Sequence, residues 1–347
     1  MTRVFINGLG AVSSAGWGLP ALRAALENGA PLATQAVTRP GWEKPLLARL
    51  VPAPLERPAF ALHPRLRRAS PITQYAMSAM MESLGEDAPH VGTGALRLGI
   101  VVSVMAGGVS YTRRFYEETL RDPSTASPLI FPETVFNAPA SHLAAYLGAE
   151  NLNYTLVGDD GTYLQGLALA ANWLCDDLVD TCVVIGAEEE DWIVADAMRL
   201  FDRKAIHSSG AGAIYLGTAR RDETLAELEC VTDAFSFTGT RSRAESACRM
   251  REHLTGGGAS ELLCLGAGGS SHSDADEKAA WQDWTGARHA PRTILGEAFT
   301  ASAAWQCIDA CDSIHRGKFQ AANVSVVGAN QQAIGARFTK PGASLKP

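Results

Sequence analysis

Short apolar runs rich in β-branched residues recur at 3–9, 97–104, 153–157, 181–185 and 212–217, each closed by glycine or a polar turn. Runs of this length and composition predict buried strands. Between them, Ala and Leu recur at i, i+3 and i+4 over 19–28, 72–84, 139–147 and 164–175, which is the spacing of one helix face. A second set of strand patterns follows at 226–235, 261–266, 323–327 and 333–338, with a helix over 298–316 closed by Gly317. The alternation predicts an α/β layered protein. The two stretches share an outline and divide near Arg221, although no residue-level repeat joins them. Residues 256–260 read as a turn rather than a linker, and 340–347 as a frayed end.

Composition narrows the class. Of 347 residues, 46% are hydrophobic and 19% charged, enough to bury a sizeable core. The formal charge of -7 removes the cationic surplus that phosphate neutralisation requires, so no nucleic-acid partner is expected. The basic run HPRLRR at 63–68 reads as a solvated loop ahead of a helix. Seven cysteines, an odd number with no CxxC pair, suggest neither a zinc site nor a disulfide framework; Cys307 and Cys311 read as small buried hydrophobes on the late helix. No run of 18 apolar residues occurs and the N-terminus enters a strand directly, so a cytoplasmic protein without a membrane span is expected. Gly8 and Gly10 open a possible dinucleotide turn, but Ser13 stands where its third glycine belongs, and no cofactor or metal is expected.

Five segments, in order, carry a resemblance to one family. They are VFINGLGAVSSAG at 4–16; PETVFNAPASHLAAYLG at 132–148 leading into NYTLVG at 153–158; a helix followed by VDTCVVIGAEE at 179–189; FDRK at 201–204 with GAGAIYLG at 210–217; and TILGEAFTASAA at 293–304 with VSVVG at 324–328. Their order and spacing resemble the β-ketoacyl synthases. The resemblance implies a thiolase-like fold of two similar halves, 1–221 and 222–347, in α-β-α-β-α layers. It also implies chemistry in which a cysteine at a helix N-terminus and two histidines, with a nearby lysine, condense acyl chains.

Carrying that motif over residue by residue places the cysteine at Asp160, within GDDGTY at 158–163. The first histidine falls on Gly266, the second on Thr300, and the lysine on Leu295. A carboxylate cannot hold an acyl thioester, and glycine offers no side chain. No replacement stands nearby: His272 lies six residues past its expected place, and no histidine occurs between His289 and His315. Asp160 reads as a helix cap in a vacated site, with a general-base role for Asp159 or Asp160 as the alternative. His142 reads as a packing or capping residue, the cluster Tyr75, Met77, Met80 and Met81 as core or interface, and the acidic run EEED at 188–191 as a solvated loop.

The resemblance therefore implies no catalytic residue and a non-condensing subunit of chain-length-factor type. Such a subunit heterodimerises with an active β-ketoacyl synthase in fatty-acid-like, polyketide or polyene (for example aryl polyene) biosynthesis. It lines the partner's acyl tunnel and meets an acyl carrier protein, with 153–157 in the pairing surface. A decarboxylase or hydrolase using Asp160, and a homodimeric carrier-protein scaffold, are the other two readings. Departures from the family include Asp where chain-length factors carry Gln, and a trimmed stretch between Phe235 and Glu261.

Overall fold

A computed structural model describes residues 2–268, 273–328 and 332–342. The first half contributes strands β1 (Val4–Ser13), β2 (Leu98–Val104), β3 (Asn153–Val157), β4 (Thr181–Glu188) and β5 (Gly210–Gly217). From the second come β6 (Ala226–Val231), β7 (Glu261–Leu265), β8 (Ala287–His289), β9 (Ala321–Val327) and β10 (Gln332–Thr339). They lie in the order β8-β7-β9-β10-β6-β1-β5-β4-β2-β3. Each half, numbered by itself, has the order 3-2-4-5-1. The senses match as well: strands 2-3 and 2-4 are parallel, while 4-5 and 5-1 are antiparallel. Within the sheet, the halves join through a short antiparallel ladder, Val4 to Ile6 on β1 against Ala226 to Leu228 on β6. The fold is α/β.

The helices that complete the frame include α1 (Leu19–Asn28), α2 (Pro71–Leu84), α3 (Val109–Arg121), α4 (Ala138–Leu147), α5 (Thr162–Cys175), α6 (Thr240–Glu252), α7 (Ser273–Ala280), α8 (Pro291–Leu295) and α9 (Phe299–His315). The layers follow from strand alternation, because successive side chains face opposite sides of a sheet. Val101 and Val184 point inward to a core shared with Leu167 of α5 and Ile308 of α9, together with Val324 and Phe338 from the other half. Val102 and Val183, one position along, point outward to Met77 and Met80 of α2. In the second half, Leu263 and Leu265 face a separate outer core around Trp281 and Met250. The predicted methionine cluster is thus core.

Helix α9 runs through the middle layer, with every residue from Phe299 to Ile314 buried. A helix enclosed on all sides needs small apolar side chains where its neighbours come closest. Ala301, Ala303, Ala304, Cys307 and Cys311 supply that, and both thiols behave as the small hydrophobes expected of them. The strands beside it also lack side chains at the closest points. A Cβ on Gly186 would stand 2.3 Å from the Thr300 carbonyl oxygen, and one on Gly212 2.7 Å from the Ala304 Cβ.

Several boundaries differ from the sequence reading. β1 extends to Ser13 because its second half pairs with β5, and β6 stops at Val231. The solvated loop expected at 188–191 is instead buried: Glu188 ends β4, Glu189 accepts the N-H groups of Ile72 and Ser110, and Asp191 pairs with Arg113 and caps the following turn. The 63–68 run lies on the surface with only Leu66 buried, as expected. His272 and residues 343–347 lie outside the described residues. Among the described residues, no helix is long and apolar enough to cross a membrane.

Because the obstacle at Gly186 is backbone, it cannot rotate away. Gly186→Ala is expected to lower the unfolding free energy by about 2–3 kcal/mol in urea titration, whereas a Ser or Ala change at exposed Gly258, which has open space around it, leaves the midpoint within error.

Candidate functional site

Four elements converge at one end of the middle layer. The segment Gly158 to Gly161 leads into α5, Gly266 follows β7, α8 carries Arg292, and Glu297 precedes the first turn of α9 with Thr300. Arg292 is 7% exposed and Asp160 3%. The Arg292 guanidinium donates from Nη2 to Asp160 Oδ2, and its Nη1 lies 2.8 Å from Glu297 Oε2. The same cation thus ties the start of α5 to the approach to α9. These contacts hold Arg292 firmly protonated against the opposing effect of burial.

More acid surrounds this pair than one cation can neutralise. Asp159 Oδ1 accepts from Gln332 Nε2 at 2.9 Å and from the Gly161 N-H at 3.2 Å, while its Oδ2 is buried without a hydrogen-bond partner among the described residues. Burial and the neighbouring Asp160 raise its pKa to about 6. Glu188 accepts from the N-H groups of Met105 and Ala106 and from Thr300 Oγ1 at 3.0 Å; burial raises it to about 8. Glu277 accepts from the Gly266 N-H at 3.0 Å and Ser325 Oγ at 2.7 Å, and burial raises it to about 7. Glu297 is raised by burial too, with Arg292 opposing the shift. Carboxyl groups removed from water without a cation hold their protons to higher pH, because the charged form bears the desolvation cost.

His207 lies at the rim of this cluster, its ring centroid 5.8 Å from that of Phe299. Both its nitrogens are buried without a hydrogen-bond partner among the described residues, and burial lowers its pKa to about 4. It is therefore neutral near pH 7. Cys307 and Cys311 lie further along α9 in the inner core, where burial raises their pKa values and keeps them as thiols. Among the described residues, no group of three or more His, Cys, Asp or Glu side chains is arranged to hold a metal ion.

No protein-family model and no curated protein sequence matches the chain. Solved structures do. A ketosynthase in complex with its chain length factor from Xenorhabdus doucetiae aligns with a TM-score of 0.79 at 14% identity, covering 98% of this chain and 98% of that one. The ishigamide ketosynthase/chain length factor gives 0.78 at 18% identity, over 98% and 100%. A β-ketoacyl synthase from Burkholderia phymatum gives 0.79 at 14%, also over 98% and 100%.

The chain has the ketosynthase fold.

On that fold, three of the four positions picked out in the sequence come together. Asp160 meets Arg292, Thr300 donates to Glu188 and to the Ser103 carbonyl at 2.8 Å, and Gly266 donates its N-H to Glu277. Leu295 instead joins the apolar inner core, fully buried. The helix-cap expectation for Asp160 gives way: α5 has Gly161 at its N-cap without a side-chain bond, and the Asp160 carboxylate turns to Arg292. It is Asp159 that bonds the adjacent N-H. His142 packs on α4 with Nε2 2.6 Å from Glu133 Oε1.

Sequence reasoning on this ketosynthase-fold chain passed over Arg292, although a signal existed. Arg292 stands directly before the TILGEAFT segment, and a cation there answers the unusual acid pair Asp159-Asp160.

Two outcomes follow. Arg292→Met leaves Asp160 buried without its cation and is expected to cost about 3–5 kcal/mol by chemical denaturation, while Arg292→Met combined with Asp160→Leu recovers most of the loss. The second concerns pH. Glu188, Glu277 and Asp159 have folded pKa values above their unfolded ones, so the stability they lend is fully present below about pH 4 and is lost as pH rises through 6 to 8. His207, with a depressed value, acts oppositely as pH falls below 6.5. Comparing Glu188→Gln with the parent cancels that contribution, and the parent is expected to lose stability relative to the variant between pH 6 and pH 9.

Proposed function

We propose that this chain is a catalytically inactive ketosynthase-like subunit of chain-length-factor type. It pairs with an active β-ketoacyl-ACP synthase in polyketide, polyene or fatty-acid-like biosynthesis and helps shape that partner's acyl tunnel. The observation that carries the reading is the Arg292–Asp160 ion pair at the place where the family resemblance puts the nucleophile. A buried carboxylate already neutralised by a guanidinium is a poor base and no substitute for a thiolate, which argues against a decarboxylase or hydrolase built on Asp160. Gly266 and Thr300 at the two histidine positions point the same way.

The surface supports pairing. β3 lies at the end of the sheet path, bonded among the described strands to β2 alone, and exposes Tyr154 and Val157, each about half accessible at 51% and 53%. Leu129, Phe131, Val135 and Phe136, on the stretch that leads into α4, are exposed as well. Asn153 of β3 bonds the Ala140 carbonyl of α4, so this apolar ground adjoins the open strand. An apolar edge strand of this kind invites another chain to continue the sheet. The solved structures similar to this chain include ones named as a ketosynthase with its chain length factor, and one named as an acyl carrier protein in complex with its ketosynthase. The reading takes the chain as two thiolase-like halves, 1–221 and 222–347, with an acyl carrier protein as a further partner.

Co-expression with a ketosynthase of the same genome that retains Cys-His-His tests it. A 1:1 complex is expected on gel filtration, with elongation activity that needs both chains, and the double change Tyr154→Lys and Val157→Lys separates them. Separate elution, together with equal elongation by the synthase alone, overturns the reading. A dimer of this chain by itself would favour the scaffold alternative.

A further inference from the structure

A cavity of about 260 Å³ opens at the opposite end of α9, between that helix and α1. It lies about 13 Å along the helix axis from the cluster at Thr300, taking nine residues from Thr300 to Asp309 at 1.5 Å each. One wall is apolar, made by Leu19, Leu22 and Leu26 of α1 with Ile308 of α9. The other wall is ionic and ordered. Arg23 holds Asp312 through two bonds, Nε to Oδ2 at 2.9 Å and Nη2 to Oδ1 at 2.6 Å. Arg316 and Lys318 both reach Glu27 Oε1, at 2.5 and 2.9 Å.

Between the walls stands His289. Its Nδ1 lies 2.8 Å from Oδ2 of buried Asp309, which also receives the Cys264 thiol at 3.7 Å and, on Oδ1, the Ser313 hydroxyl at 3.4 Å. Asp309 thereby fixes the ring and leaves Nε2 as its remaining polar atom, without a hydrogen-bond partner among the described residues. The formal charges of the lining balance before His289 is counted: Arg23, Arg316 and Lys318 stand against Glu27, Asp309 and Asp312. The cavity is small for a binding site, at the lower end of volumes that enclose a ligand, and it combines an apolar wall with one adjustable cation.

We propose that this cavity binds a small monocarboxylate, with its hydrocarbon part against the α1 leucines and its carboxylate on His289 Nε2. Protonation of His289 supplies the single positive charge that the balanced walls lack, and the ring then donates from Nε2 to the ligand while Nδ1-H stays on Asp309. The hydrogen bond to Asp309 favours that protonated ring, while burial and then Lys318 work against it; Asp309 dominates, so the His289 pKa lies above its ordinary value. Arg23 is held by Asp312 and Arg316 by Glu27. Binding is therefore present at low pH and lost as pH rises through the His289 transition. The site is separate from the Arg292–Asp160 cluster and is independent of the ketosynthase-partner reading.

Calorimetric titration of the full chain with sodium hexanoate at pH 6 and pH 9 tests it. One saturable site per chain is expected, at least tenfold tighter at pH 6. His289→Gln, with folding checked by circular dichroism, is expected to lower the pH 6 affinity to the pH 9 value, and the uncharged probe hexanol to bind at least tenfold more weakly than hexanoate at pH 6. No saturable binding to the folded parent overturns the proposal, as does an affinity unchanged between the two pH values or between the parent and His289→Gln.

Discussion

The ion pair between Arg292 and Asp160 lies in a layer with little water to screen it, and the surrounding elements are arranged to answer its charge. Asp160 comes from the turn before α5, Arg292 from α8, and Glu297 from the approach to α9. Charges taken out of water are tolerable only when paired and hydrogen-bonded, so these three segments cannot move apart independently. The clamp also sets the place of Thr300, which starts α9 against Gly186 and donates to Glu188.

The same cluster departs from the chemistry that the family resemblance implies. A thiolate at a helix N-terminus works because the helix dipole stabilises an exposed reactive anion. Here the carboxylate at the position that the resemblance assigns to the thiol is paired with a guanidinium, and burial raises the pKa values of the neighbouring acids. An arrangement of that kind fixes structure. It stiffens the layer between the sheets and leaves the outer surfaces, above all the β3 edge, as the parts of the molecule free to interact.

Much of the architecture was legible because strand length and helix spacing leave a direct imprint on the chain. The helix over 298–316 was readable from small residues at every turn and the terminating Gly317, and it lies at Phe299–His315. Less legible were segments whose role depends on tertiary neighbours. β8 has three residues and takes its place from parallel pairing with β7. α3 is largely polar and has no buried residue, so periodicity gave it no core-facing stripe. The acids at 188–191 looked solvated because nothing local shows that the N-H groups of Met105, Ala106, Ile72 and Ser110 will turn toward them. Arg292 was overlooked for a related reason: Glu297 is close by, but Asp160 lies 132 residues away in sequence, and a pairing of that range has to be inferred from two separate segments.

The β1 strand precedes both of its long neighbours in the chain: Phe5 has Gly217 on one side and Glu227 on the other. Both neighbours are translated long afterwards. Until then, only Val12 and Ser13 of this ten-residue strand have a native partner, in Trp17 and Gly16, and the rest has two open edges, which makes it prone to mispairing on the ribosome. A protein built this way has reason to depend on holding chaperones while it is made, and to refold slowly and with losses when diluted from denaturant.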